Sequence, residues 1–186
     1  MRIRRLLFLA AGLCLAASGT AGAQDGGKAG ITIAYPASIG IIWHATDGVA
    51  IRSAFAFSHS DGETSIVAAE NEATTVGVDL GVLFYLKKYD NVRTYVSPRF
   101  LYARSTSTAT TTSTLGGVPE LKTTGTSTGG SGVFGAQYSP SSRFSVFGEV
   151  GLAFNHRHTE SDIISTSVSN TDTWGTTAGV GVIFYF

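Results

Sequence analysis

The thirteen residues from Trp174 to Phe186 alternate with period two. Trp174, Thr176, Ala178, Val180, Val182, Phe184 and Phe186 share one face, and Gly175, Thr177, Gly179, Gly181, Ile183 and Tyr185 share the other. Successive side chains of a strand point to opposite faces and each residue advances the chain about 3.3 Å. These steps therefore cover roughly 40 Å of contour, or about 30 Å of height at a tilt of about 40°. That height matches a bilayer's apolar core with its interfaces. A segment that is apolar on one face, small on the other and this long suits the wall of a membrane-spanning β-barrel.

The same alternation recurs upstream. From Val76 to Leu86 and from Phe144 to Phe154 the even-numbered positions are predominantly apolar, while the odd ones hold Gly, Ser, aromatics and an occasional charge. Weaker versions run from Val49 to Phe57, Thr94 to Tyr102, Gly132 to Tyr138 and Ile39 to Trp43. A short segment from Ile31 to Tyr35, closed by Pro36-Ala37-Ser38, supplies one more strand. No helical periodicity of useful length appears, nor the roughly 18 consecutive apolar residues of a transmembrane helix after the leader. The expected fold is all-β: an antiparallel, up-and-down transmembrane barrel of about eight strands.

The connectors alternate in kind. Thr46-Asp47-Gly48, Lys87 to Asn91 and Ser139-Pro140-Ser141-Ser142 read as short turns, whereas residues 58–72, about 105–130 and 159–172 read as longer loops. Short periplasmic turns and long external loops are the order of an outer-membrane barrel. The third long region, STSTATTTSTLGGVPELKTTGTSTGGSG, is low in complexity and almost uncharged, which predicts a mobile hydrophilic external loop.

Residues 1–23 read as a cleaved secretory signal. Arg2, Arg4 and Arg5 precede an apolar run from Leu6 to Ala17, and Ala21-Gly22-Ala23 fits the cleavage site. The single cysteine, Cys14, leaves with it, so residues 24–186 form a barrel domain without thiol chemistry. That domain holds ten basic and thirteen acidic residues, a balance that gives no footprint for nucleic acid.

Turning the apolar faces outward puts Arg52, Asp79, Arg93, Arg99 and Glu149 inside. An Arg facing lipid near the midplane costs about 2–4 kcal/mol, so this placement is nearly forced, and opposite signs can neutralise one another in a narrow lumen. A hairpin turn centred on Tyr89 sets Asp79 directly opposite Arg99, while one centred on Asp90 moves the partner to Leu101; Glu149 is expected at similar depth, near Arg99 or Arg52. Such a cluster plugs a small barrel, with a narrow ion path as the alternative. Trp43, Tyr138, Phe144 and Phe186 fall near short turns, and Trp174, Phe154, Tyr102 and Phe57 near long loops. They predict aromatic girdles at both interfaces.

The enzymatic candidate is FNHRHTESD, where His156, His158 and Glu160 share a face and the nearest serine, Ser161, has the wrong parity for a hydrolase. Asp61, Glu63, Glu70 and Glu72 could share divalent cations with lipopolysaccharide, but their spacing matches no compact calcium loop. No metal, cofactor or catalytic residues are expected. A soluble lipocalin-like barrel would invert the pattern, with apolar residues inside and charges outside.

The leader, LFYLKKYDNVRTYVSPRF, RFSVFGEVGLAF and the terminal GVGVIFYF together resemble the outer-membrane β-barrel domain family, the small OmpA- and OmpX-like barrels, over almost all of residues 24–186. The resemblance implies a monomeric integral outer-membrane barrel in contact with outer-membrane lipid and lipopolysaccharide; members related to OmpA often continue into a periplasmic peptidoglycan-binding domain, whereas this chain is expected to end at the barrel, so wall anchoring is not implied. It also implies that Val182, Phe184 and Phe186 resemble the insertion signal read by the barrel assembly machinery. The family shares a scaffold rather than one activity. The expected role is structural or surface-interacting, toward an extracellular ligand or surface, with a narrow pore or a lipid A-modifying enzyme as alternatives.

Overall fold

The computed structural model describes residues 28–36, 38–64, 69–111, 120–162 and 166–186; the expected signal peptide lies outside them. Eight antiparallel strands close in chain order into a barrel: β1 (Ala29–Tyr35), β2 (Ser38–His44), β3 (Val49–Thr64), β4 (Ala69–Tyr89), β5 (Val92–Thr111), β6 (Glu120–Ser141), β7 (Phe144–Asp162) and β8 (Thr166–Tyr185). The seam is β1 on β8, from Gly30 opposite Tyr185 to Tyr35 opposite Val180.

Closure follows from the alternation. Ile31, Ile33, Phe55, Leu80, Phe84, Phe100, Phe134, Val150, Leu152, Val180 and Phe184 are all exposed on the outside of the barrel. Ile42, Ala50, Leu83, Tyr95, Val133, Phe147 and Ile183 are buried inside. An apolar exterior of this extent, with charged and polar groups in the lumen, is the inverse of a lipocalin-like barrel and the arrangement a bilayer demands.

Two turns show how parity is kept. The two-residue turn Asp90-Asn91 pairs Tyr89 with Val92, odd with even, yet the inward positions of both β4 and β5 are odd. A bulge between Tyr85 and Lys87 inserts Leu86 and restores odd with odd, so Tyr85 meets Tyr95 and Asp79 meets Leu101. Asp90 takes the positive φ of 44° that the turn needs. The same device recurs where Ser141 pairs with Phe144 but Tyr138 pairs with Val146; Pro140, which cannot donate to a ladder, sits in that irregularity. The turn is therefore at Ser142-Arg143 rather than over Ser139 to Ser142, and the expected Asp79–Arg99 pair is replaced by Asp79–Leu101, with Arg99 opposite Gly81.

The expected long loops are largely strand. The ladder of β3 and β4 continues to Thr64 opposite Ala69, that of β5 and β6 to Thr110 opposite Glu120, and that of β7 and β8 to Asp162 opposite Thr166. Low apolar content argued against order in these segments. However, Thr is β-branched, and each added rung satisfies backbone groups on a template already fixed by the barrel below. Only residues 65–68, 112–119 and 163–165 of the expected loops lie outside the described residues.

Glycine is required where the lumen is fullest. A Cβ on Gly181 would lie 2.5 Å from Phe147 Cζ and 2.6 Å from the Ile33 carbonyl oxygen, whereas one on lipid-facing Gly148 would have Val180 Cγ1 as its nearest neighbour, at 4.0 Å. We therefore expect Gly181→Ala to lower stability by about 1–3 kcal/mol and Gly148→Ala to leave it nearly unchanged. The check is urea unfolding in lipid vesicles followed by tryptophan fluorescence; coincident midpoints for the two variants would contradict the packing described.

Candidate functional site

Glu149, on β7, is the hub of the lumen. Arg52 Nη2 of β3 donates to both of its oxygens, at 2.8 Å to Oε2 and 3.1 Å to Oε1. Arg99 Nη2 of β5 and the Tyr95 hydroxyl, at 2.9 Å, both donate to Oε2. The Arg52 and Glu149 side chains are 6% and 7% exposed. Removed from water, a carboxylate with two guanidinium partners and a phenol is a satisfied group, and its strength depends on all of them being present.

Asp79 stands apart. It faces the same cavity as Arg52, Arg99 and Glu149, but among the described residues no hydrogen bond or ion pair reaches its carboxylate. Arg93 also lies away from the Glu149 cluster: its guanidinium packs over the Tyr85 ring, 4.5 Å from the centroid, toward the short-turn end. The five inward charges thus form a three-residue cluster, one neighbouring acid and one cation at another level.

Below the charges the lumen is filled. Leu83, Phe147, Ile183, Ile42 and Tyr95 pack into one buried cluster. Beneath them lies a polar layer that no sequence motif announced. Gln137 Nε2 donates to Tyr185 Oη (3.0 Å) and Ser145 Oγ (3.1 Å), Tyr85 Oη donates to Gln137 Oε1 (2.9 Å), and His44 Nε2 lies 3.1 Å from Tyr185 Oη. His44 stacks on Tyr85 at 5.5 Å. The inward parity of these positions was visible in the sequence, but their mutual contact depends on how neighbouring strands are staggered.

Above the charges the lumen opens into a cavity of about 330 Å³. Its walls are mostly small residues, among them Ala54, Ala56, Ala103, Ser131 and Ala153.

The remaining sequence candidates are on the outside. Phe144 packs on Phe184 at 5.3 Å and Phe154 on Trp174 at 4.9 Å. Tyr102, Tyr138, Trp174, Phe184 and Phe186 are exposed outward, Val182 is half-buried, and Trp43 is half-buried with its indole nitrogen covered. His156 and His158 are also outward, beyond Phe154 on β7. His156 Nδ1 is 2.5 Å from Asp172 Oδ1, and His158 bonds Asn170 (2.7 Å) and Glu160 (3.2 Å). The Asp172 and Asn170 contacts join cross-strand partners, Glu160 is two residues along on the same strand, and none of these contacts involves a serine. His59, Asp61 and Glu72 converge on the β3–β4 extension, all three exposed.

No family model and no curated protein sequence matches the chain. Solved structures do. The major outer membrane protein of Thermus thermophilus superposes with a TM-score of 0.57 over 86% of this chain and 98% of that one, at 12% identity. Acinetobacter baumannii CarO gives 0.45 over 86% and 97%, at 13% identity. Ail, the attachment invasion locus protein of Yersinia pestis, gives 0.41 over 86% and 94%, at 14% identity. The first of these carries the fold: this chain has the closed, antiparallel β-barrel fold of that outer-membrane protein.

Two outcomes follow from the site. Glu149→Ala, which leaves Arg52 and Arg99 buried without their carboxylate, should cost about 3–5 kcal/mol, whereas Asp79→Ala should cost distinctly less; equal losses in urea unfolding would refute the hub. At the long-strand end, hydrogen bonds donated by the imidazole to Asn170 Oδ1 and then to Glu160 Oε1 raise the His158 pKa above its ordinary 6.5. A raised pKa means that the contact's stabilisation is complete below the unfolded value and is lost as pH rises through the folded one. The His158 titration followed by NMR should therefore have its midpoint above 6.5 and move down in Asn170→Ala.

Proposed function

We propose that the chain is a monomeric, non-catalytic outer-membrane barrel whose task is to hold strand-extended, hydroxyl-rich hairpins outside the cell. The observation that carries this reading is the continuation of the β5, β6 and β7 ladders beyond the aromatic rim. Thr106 pairs with Thr124, Thr126 with His158, and Thr128 with His156. Their alternate outward side chains make a regular array of hydroxyls and imidazoles on a rigid sheet, suited to contacting lipopolysaccharide sugars or an external surface. Val182, Phe184 and Phe186 supply the terminal pattern for insertion by the barrel assembly machinery.

A filled short-turn half supports a structural role over a pore. His44, Gln137, Leu83 and Tyr95 are each at most 1% exposed, so a solute would have to displace several interlocked side chains. His156 and His158 support contact rather than catalysis, because among the described residues their hydrogen bonds run to Asp172, Asn170 and Glu160 and not to the hydroxyls of the facing Thr128 and Thr126.

Single-cysteine variants test both topology and role. With a membrane-impermeant maleimide, Ser60→Cys on the β3–β4 extension should label on intact cells and Ser142→Cys at the β6–β7 turn only after lysis; the reverse pattern would overturn the orientation. Purified protein in planar bilayers should show no stepwise conductance, and steady channels would favour the pore reading instead.

A further inference from the structure

The barrel is complete only in its lower part. β1 and β2 have 7 residues each, against 16–22 in the others. The β8–β1 ladder stops at Val180 opposite Tyr35, and the β2–β3 ladder stops at Ile39 opposite Phe55. Above these rungs β3 from Ala56 and β8 from Gly179 upward each keep one neighbour, and no ladder joins them among the described residues. The wall therefore has a slot where two strands are missing. On the β8 side it begins within the apolar belt, since Ala178, Thr176 and Trp174 still belong to the lipid-facing row.

The rim of the slot is polar. Phe186 N–H bonds to Ala29 of β1, whereas Tyr185 N–H bonds to Arg143 on the β7 side. Strand alternation then directs the backbone groups of Ala178, Thr176 and Trp174 into the slot. Unpaired backbone at membrane depth is tolerated only beside protein or a polar cavity. Here the lumen cavity lies directly behind the slot, lined by Tyr35, Pro36, Ser38, Ala56, Ala178 and Gly179.

An apolar groove of about 510 Å³ meets it from outside, running over Ala136, Gly148 and Ala178 between Phe134 and Val150. Tyr35, Glu149, Ala178 and Gly179 line both spaces. The lumen cavity alone, at about 330 Å³, is within the range of small-ligand pockets. Its floor offers one free acceptor: the Asp79 carboxylate, which lines the cavity, has no hydrogen-bond partner among the described residues, whereas Arg52 Nη1 and Arg99 Nε, also without partners, are covered and lie behind the floor. Two Arg face two acids, so the floor has no net charge to compensate an ion, and an added buried charge would be costly.

We propose that the slot is a lateral port admitting one single-chain amphiphile with an uncharged hydrogen-bonding head, a long-chain alcohol or amide, from the outer leaflet. The tail lies in the groove of Ala136, Gly148 and Ala178. The head passes Tyr35 and Gly179 to donate to Asp79, which faces the cavity. This rests on the membrane-embedded orientation proposed above.

The test uses the full chain in phosphatidylcholine nanodiscs with a dodecanol probe carrying a diazirine beside the hydroxyl. Photolysis and peptide mapping should place adducts on lumen-facing Ala54, Leu101 or Ala153, competed by dodecanol about tenfold better than by dodecanoate or dodecylammonium, one hydrogen bond's worth of discrimination. Gly148→Leu, which fills the groove from the lipid side, and Asp79→Asn should each lower lumen labelling with the heat-modifiable gel shift of the folded barrel intact. Adducts confined to outward residues around the whole belt would overturn the port. Equal competition by the ionic amphiphiles would overturn the uncharged head. A chain that fails to enter nanodiscs would overturn the membrane reading and the port together, a result separable from insertion without lumen adducts.

Discussion

Inside a bilayer no water is available to satisfy a peptide group, so a chain of strands must bond every N–H and C=O to another strand or to a sheltered polar space. Nearly everything else in this molecule follows from that constraint. The β1–β8 seam closes the ring, and alternation then sorts apolar side chains to lipid and the rest to the lumen. Arg52, Arg99 and Glu149 are brought together because the only alternative to the lumen is hydrocarbon. Their pairing is a consequence of closure rather than its cause. Once buried, however, each makes the others indispensable.

The alternation that fixes the faces was fully legible in the chain. Trp174 to Phe186, Val76 to Leu86 and Phe144 to Phe154 each read as one strand; each falls on a single longer strand, of which the first ends at Tyr185. Register was less legible, because a single inserted residue shifts every rung beyond it. Asp79 meets Leu101 rather than Arg99 because the turn falls at Asp90-Asn91 rather than about Tyr89, and the bulge at Leu86 then moves its partner by one, from Tyr102 to Leu101; nothing in the apolar pattern distinguishes such a turn with a bulge from a wider turn without one. The Thr- and Ser-rich segments differ from expectation for another reason. Composition reports whether a segment can order itself, whereas these segments are ordered by strands that already end in the correct orientation.

That His44, Tyr85, Gln137 and Tyr185 meet in one polar layer could not be read from the sequence. Its members come from four strands spread across the chain, and their contact depends on stagger around the ring rather than on local spacing. The same holds for the slot above Tyr35. Two short strands are visible in the sequence, with Pro36 between them, but their meaning emerges only when the neighbours prove to be twice as long or more. Unequal strand length, more than composition, distinguishes the two ends of this barrel.

The seam that closes the ring also sets a kinetic order on the molecule. Five of the ladders join strands adjacent in the chain over long registers, while Gly30 and Tyr185 meet across almost the whole sequence through a ladder of six residue pairs. Loop-closure entropy makes such a distant pairing the slowest to form and rewards it last. The hairpins can therefore accumulate as an open, curved sheet long before the circle is finished. This six-pair zipper, no longer than the two ladders of β2 but closed across the whole ring, is where assembly ends and where mechanical unravelling would begin.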